Sequence, residues 1–231
     1  MNAMAELDET IPTICRDDLA RLESHLAADR ALVTRRMERD LRLDAGIFHW
    51  LYVGDTALHV AAAGHRTALV RMLLAAGADA NAAHNRRGAR PLHYAADGYV
   101  AGDHWDAEKQ VSTLHLLIEA GAELNAQDQN GATALHRATR TRCAAAVNYL
   151  LDAGADPALR NESGSTAFHL AVQTAGRGGS GDPVAKQGQM RIIESFLARR
   201  VSPQLRDGKG HTVLECAARS EWVLALLQQS E

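Results

Sequence analysis

The stretch TAGRGGSGDP, residues 174–183, sets four glycines around Arg177 and Ser180, a composition that could turn backbone amides toward a phosphate. A dinucleotide fingerprint needs a strand ahead of its glycines, and a phosphate loop needs Gly-Lys-Ser/Thr running into a helix. Neither condition holds here, so Gly178, Gly179 and Gly181 read as flexible turn residues with Pro183 near a helix start, and a weaker anion contact through Arg177 is the alternative. A second cluster, Asp103, His104, Asp106 and Glu108, imitates a metal site but has no spacing that defines a coordination geometry. It reads as an acidic, solvated loop whose Tyr99 and Trp105 either tuck onto the fold or face a partner, with partner contact favoured for Trp105. Eleven histidines invite acid–base or metal chemistry, yet no Ser-His-Asp or Cys-His order stands out among so many combinations. Cys15, Cys143 and Cys216 are an odd number at wide spacing and read as reduced thiols. The expectation is therefore no catalytic residue, no metal and no cofactor.

The elements that carry these residues follow from an internal period. Five segments align: GDTALHVAAAG, GARPLHYAADG, GATALHRATRT, GSTAFHLAVQT and GHTVLECAARS. Their histidine-type positions are His59, His93, His136, His169 and Glu215, with intervals of 34, 43, 33 and 46 residues. The two longer intervals contain insertions at 97–110 and 174–189. Thr56, Thr133, Thr166 and Thr212 are placed to cap a short inner helix, and Pro91 fits just inside one. Leu58, Leu92, Leu135, Phe168 and Leu214 then point inward beside small pairs such as Ala61 and Ala62, which let helices approach closely. Outer helices carry apolar residues such as Leu69, Met72 and Leu73 at helical spacing. Gly77, Gly121 and Gly154 end those helices in a left-handed turn.

These segments resemble the ankyrin-repeat family, over about Gly54 to the C-terminus. The resemblance implies an all-α solenoid of about five helix-turn-helix units with hairpin loops projecting to one side, used mainly to bind other proteins. It also implies that the repeat histidines hydrogen-bond within and between units. The expected layout is N-terminal capping helices over 1–53, units at 54–82, 83–126, 127–158 and 159–203, and a truncated cap at 204–231. Asp17 or Asp18 should cap the first capping helix, a second helix should follow it, and IFHWLYV (47–53) should lead into the first unit and pack on it. Three positions depart from the family pattern: Arg90 for the capping threonine, Glu215 for the histidine, and Arg200 for the helix-ending glycine. A non-glycine residue in the left-handed region costs roughly 1 kcal/mol, so the turn at Arg200 is expected to be looser or differently shaped.

Net charge is −3 and only three of the 25 basic residues are lysines. The average argues against general attraction to nucleic acid or anionic membrane, and no apolar run is long enough for a membrane helix. The start MNAMAELDET has neither a basic nor an apolar leader region; a cytoplasmic, monomeric protein is the expectation. The loops and inner-helix tails should line one concave, cationic face, with partner-binding candidates Trp50, Tyr52, Arg86, Arg87, Gln129, Asn130, Arg140, Arg160, Glu162 and Lys209, and Trp105 on the insert. The favoured reading is a groove for an acidic protein segment, with Trp50 and Tyr52 as aromatic anchors and arginines clamping carboxylates. Nucleic acid or another polyphosphate on the same arginines ranks lower, because aromatic and basic residues are not interleaved. A host-directed effector or toxin-neutralising adaptor fits the fold, but nothing in the residues selects it.

Overall fold

The computed structural model describes residues 10–43, 47, 49–98, 105–173, 183–218 and 220–228. The glycine-rich stretch 174–182 lies outside the described residues, as do Asp103, His104 and Tyr99. Helices alternate in pairs along the chain: α1 (residues 10–15), α2 (Leu19–Ala28), α3 (Ala57–Ala63), α4 (Thr67–Ala75), α5 (Pro91–Ala96) and α6 (Ala107–Glu119). They continue with α7 (Ala134–Arg140), α8 (Ala144–Asp152), α9 (Ala167–Val172), α10 (Pro183–Ala198), α11 (Val213–Ala217) and α12 (Glu221–Gln228). The short helices α3, α5, α7, α9 and α11 stack on one another in one layer, and α2, α4, α6, α8, α10 and α12 stack in a second.

Each unit is thin, so its apolar residues are buried by its neighbours rather than by itself. Leu58, Leu92, Leu135 and Phe168 are all buried at the inner-layer positions, and Phe168 stacks on Phe196 of α10 with ring centroids 4.7 Å apart. Leu214 is only half-buried, and Val213 takes the buried place in the last unit. The outer helices end in left-handed turns at Gly77, Gly121 and Gly154. Arg200 keeps the same turn at φ 56°, with its N–H donating to Leu197 O and Val201 N–H donating to Phe196 O at 3.0 Å. The junction is therefore neither looser nor differently turned; the backbone bonds hold a strained residue in the shape glycine takes elsewhere.

The expected insertion 97–110 begins after α5 and its last four residues are the first turn of α6, while 174–189 ends within α10, whose first residues are 183–189. Pro183 opens α10 as expected.

The N-terminal region differs from expectation. Asp18 caps α2 by accepting from Arg21 N–H at 3.0 Å, but among the described residues no second α-helix follows before the first repeat. The chain makes a 3-10 turn at Arg30–Val33 and then an antiparallel hairpin, β1 (Leu41–Leu43) and β2 (His49–Leu51), with Arg42 opposite Trp50. The stretch MERDLRL breaks the apolar spacing of a helix, and Leu51 alternates inward where it is fully buried. Asp17, left-handed at φ 58°, sits between α1 and α2 as His65 (φ 51°) sits between α3 and α4. The N-terminal helices thus have the geometry of a further helix pair.

Projecting loops join successive pairs and bond to one another in a ladder: Gln129 N–H donates to Arg87 O, Glu162 N–H to Asn130 O, and Gly208 N–H to Gly164 O, each at 2.8 Å. Arg160 pairs with Thr166 and Arg206 with Thr212 at two loop necks, six residues apart. The equivalent pair at the first loop is Arg36 with Thr56, twenty residues apart. The β1–β2 hairpin is therefore an enlarged member of the loop series.

Candidate functional site

The repeat histidines are buried titratable groups and could be mistaken for a site. Each ring is used at both nitrogens. His59 Nδ1 accepts from Thr56 N–H at 3.1 Å and its Nε2 donates to Ala89 O at 3.1 Å, in the following unit. His93 Nδ1 accepts from Arg90 N–H at 3.0 Å while Nε2 donates to Ala126 O and Ala132 O. His136 and His169 bond forward to Ser165 O and His211 O. Burial lowers the pKa of all four, that of His93 to about 4, so the rings are neutral donors at pH 7. Glu215 substitutes for the backward half alone: its carboxylate accepts from Thr212 N–H at 2.7 Å while Thr212 Oγ1 caps Glu215 N–H, a reciprocal capping box. Among the described residues, no three His, Cys, Asp or Glu side chains come together as metal ligands.

A second network crosses the concave side. Arg137, buried on α7, donates to Asp97 at 2.8 Å and to Asp128 at 2.7 Å. Asp97, the residue after α5, also receives Arg140 at 3.3 Å and His49 Nε2 at 3.3 Å from the hairpin. Burial alone would raise the Asp97 pKa, but Arg137, His49 and Arg140 outweigh it and hold the carboxyl well below the usual range. The His49 ring lies 4.6 Å from that of Tyr94, whose hydroxyl donates to the fully buried Asp55 at 2.7 Å. Asn85 of the next loop donates to the same carboxylate at 2.7 Å. The enlarged loop is thereby fixed onto α5 and α7.

The expected partner-binding residues separate into groups. Trp50 is 48% exposed, on the hairpin strand that sends Leu51 inward. Tyr52 is 8% exposed, buried by the guanidiniums of Arg86 and Arg87, each 4.9 Å from its ring centroid; it supports arginines instead of offering an anchor. Arg86 pairs with Asp40 at 2.6 Å and Arg140 with Asp97, so part of the cationic charge is met within the chain. Arg160 is exposed and donates to Arg206 O at 2.8 Å. Lys209, Glu162, Gln129 and Asn130 are exposed along the loop ladder. Trp105 is half-buried, edge-on to His65 at 5.5 Å and packed over Gly98, where an added Cβ would meet its ring at 2.3 Å. In this structure Trp105 anchors the end of the insert onto the fold.

Comparison with known proteins places this geometry. A profile described as ankyrin repeats (3 copies) matches residues 25–102, one described as ankyrin repeat matches 87–129, and one described as ankyrin repeats (many copies) matches 117–171. A solved ankyrin repeat domain from Acinetobacter baumannii superposes with a TM-score of 0.70 at 25% identity, covering 96% of this chain and 97% of that one. This chain is an ankyrin-repeat protein. An E3 ubiquitin-protein ligase from Arabidopsis thaliana, KEG, is 39% identical over 83 residues, which are 36% of this chain and 4% of that protein. No helix of the described residues is long and apolar enough to cross a membrane.

The ankyrin pattern leaves one device unread. In the two inserted units the inner helix ends without the tight link of its neighbours, and its last carbonyls are met by a buried glutamine of the outer helix. Gln110 Nε2 donates to Ala95 O at 3.0 Å and Ala96 O at 3.2 Å; Gln189 Nε2 donates to Ala171 O at 2.8 Å. The preceding ankyrin unit adds a left-handed residue: His65 donates to Ala95 O at 3.0 Å, and Arg142 to Ala171 O and Gln173 O. A sequence signal exists. Gln110 and Gln189 each stand eleven residues before the turn residue, Gly121 or Arg200.

Proposed function

We propose that the protein is a non-enzymatic, monomeric cytoplasmic scaffold that binds an acidic protein segment across its loop ladder and concave side. Ankyrin repeats are in general protein–protein interaction modules, and the observation that carries the finer reading is the charge left over on this face. Arg87, Arg160 and Lys209 stand on three different loops, are exposed, and among the described residues have no carboxylate at ion-pair distance. Exposed guanidiniums suit carboxylates by planar, bidentate contact. Gln129 and Asn130 between them add uncharged hydrogen-bonding groups. Arg86 and Arg140, already paired to Asp40 and Asp97, contribute to the field and are secondary contacts.

The test is pull-down with the intact protein from its native extract, nuclease-treated or not, comparing wild type with an Arg87→Glu/Arg160→Glu/Lys209→Glu variant. The expected result is a protein partner retained after nuclease treatment and lost with the variant, whose unfolding midpoint stays close to wild type. Binding that disappears with nuclease and falls steeply with salt would assign the face to nucleic acid instead. Retention of every partner by the variant would overturn the reading.

A further inference from the structure

The enlarged first loop has a feature the cationic face does not need. Among the described residues, four large apolar side chains are exposed: Leu19, Trp50, Val53 and Met190. Two of them belong to this one enlarged loop, Trp50 (48%) on β2 and Val53 (45%) in the turn that follows it. The hairpin is held from beneath: His49 meets Tyr94 and Asp97, while Ile47 and Leu51 are buried. Val53 N–H is fixed to Asp40 Oδ1 at 3.0 Å. Alternation along β2 then sends the Trp50 ring outward from a backbone secured at several points. An indole presented this way loses little freedom on being covered, which is what makes aromatic side chains effective anchors.

The loop ladder gives this apolar spot a direction. In every loop one residue precedes a left-handed glycine: Val53 before Gly54, Arg87 before Gly88, Asn130 before Gly131, Ser163 before Gly164 and Lys209 before Gly210. Gly54 lies against the next loop, where an added Cβ would meet His84 O at 2.2 Å, so the hairpin is the first rung of the same ladder. Read in order, the rungs are apolar, cationic, polar, polar and cationic. The next rung after Val53 is Arg87, which rests on Tyr52 and among the described residues has no carboxylate at ion-pair distance.

Resting on the acidic-partner reading above, we propose that Trp50 and Val53 form the anchoring seat of the face for an acidic peptide segment with one large apolar side chain. That side chain covers Trp50, the adjoining carboxylate meets Arg87, and the segment runs along the ladder toward Lys209. Charge complementarity selects this occupant over a purely apolar one, because a bare hydrocarbon surface would leave the Arg87 guanidinium desolvated and unpaired.

The experiment is selection from a phage-displayed library of random peptides on the intact protein, with selected peptides synthesised and titrated by fluorescence polarisation. Selected sequences should pair a large apolar residue with a neighbouring Asp or Glu. Trp50→Ala should weaken them about tenfold or more, and Arg87→Glu comparably, with circular dichroism and unfolding midpoint unchanged. Val53→Ser is the second variant and should weaken binding in the same direction. Acidic peptides that bind Trp50→Ala and Val53→Ser as tightly as wild type, yet are lost on charge reversal at Arg87, would overturn the anchor and leave the acidic-partner reading standing. Selected peptides without acidic residues, or no selected peptide at all, would overturn both. Self-association of the wild type by sedimentation, abolished in Trp50→Ala, would assign the seat to a second copy and overturn the proposal.

Discussion

Acidification from pH 7 to pH 5 should destabilise the fold, and His93 sets the scale. Burial lowers its pKa from 6.5 to about 4, and both nitrogens are engaged, with Nδ1 accepting from Arg90 N–H. Between those two values the unfolded chain binds a proton that the folded chain does not, so stability must rise with pH across this window. At pH 5 the unfolded imidazole is mostly charged and the folded one mostly neutral, which corresponds to a loss of about 2 kcal/mol from this one ring relative to pH 7. His59, His65, His136 and His169 are shifted in the same direction, also by burial, and add to it. Asp97 and Asp128 act with the same sign but lower in pH: with pKa values lowered in the fold, their contribution is lost only as pH falls below about 4. Urea unfolding followed by far-UV circular dichroism at the two pH values is the assay, with His93→Gln as the matched variant. The variant should be less stable at pH 7 and should lose about 2 kcal/mol less than wild type on acidification. Stability that is flat or increasing from pH 7 to pH 5 would refute the reasoning, since neutral, doubly bonded rings require the opposite slope.

Arg137→Met should cost about 3–5 kcal/mol in urea unfolding, because it takes the buried ion-pair partner from Asp128 and leaves Asp97 with only Arg140 and His49. Adding Asp97→Asn and Asp128→Asn to it should recover part of that loss; no recovery would show that packing, rather than charge, sets the cost. Arg200→Gly should stabilise by up to about 1 kcal/mol in the same assay, since the exposed Arg200 side chain gives up nothing and the left-handed strain is relieved; a destabilised variant would mean that Arg200 makes a contact worth more than its strain.

What could be read from residue order was whatever repeats as local chemistry. The Thr and His positions recur because a capping hydroxyl and a ring nitrogen three residues on serve the same amides in unit after unit, and the structure places them so at Thr133–His136 and Thr166–His169. The first helix pair was hidden for the converse reason: α1 and α2 have the turn geometry of a unit, marked by Asp17, without a Thr-x-Leu-His to announce it. The β1–β2 hairpin was missed because its register depends on partners far along the chain, His49 on Asp97 and Met37 on Asp55 O. The candidate face was legible as a set of exposed loop residues, and Gln129, Asn130, Arg160, Glu162 and Lys209 do stand exposed along the ladder. Composition could not show which cations are already engaged, for that is decided by Asp40 meeting Arg86 and Asp97 meeting Arg140 across the fold. Nor could it show that Tyr52 lies under its arginines instead of beside them.

The carbonyl caps from Gln110 and Gln189 change what the two inserts mean for the architecture. Because the severed inner-helix ends are sealed by the last residue of each insert, already wound into the outer helix, and by His65 or Arg142 of the unit before, the helices keep their register whatever the chain between Asp97 and Trp105 or between Gln173 and Pro183 does. Such a joint works as a port: foreign sequence grafted between Asp97 and Trp105 would hang from the rim opposite the loop ladder, leaving that ladder free to be occupied at the same time.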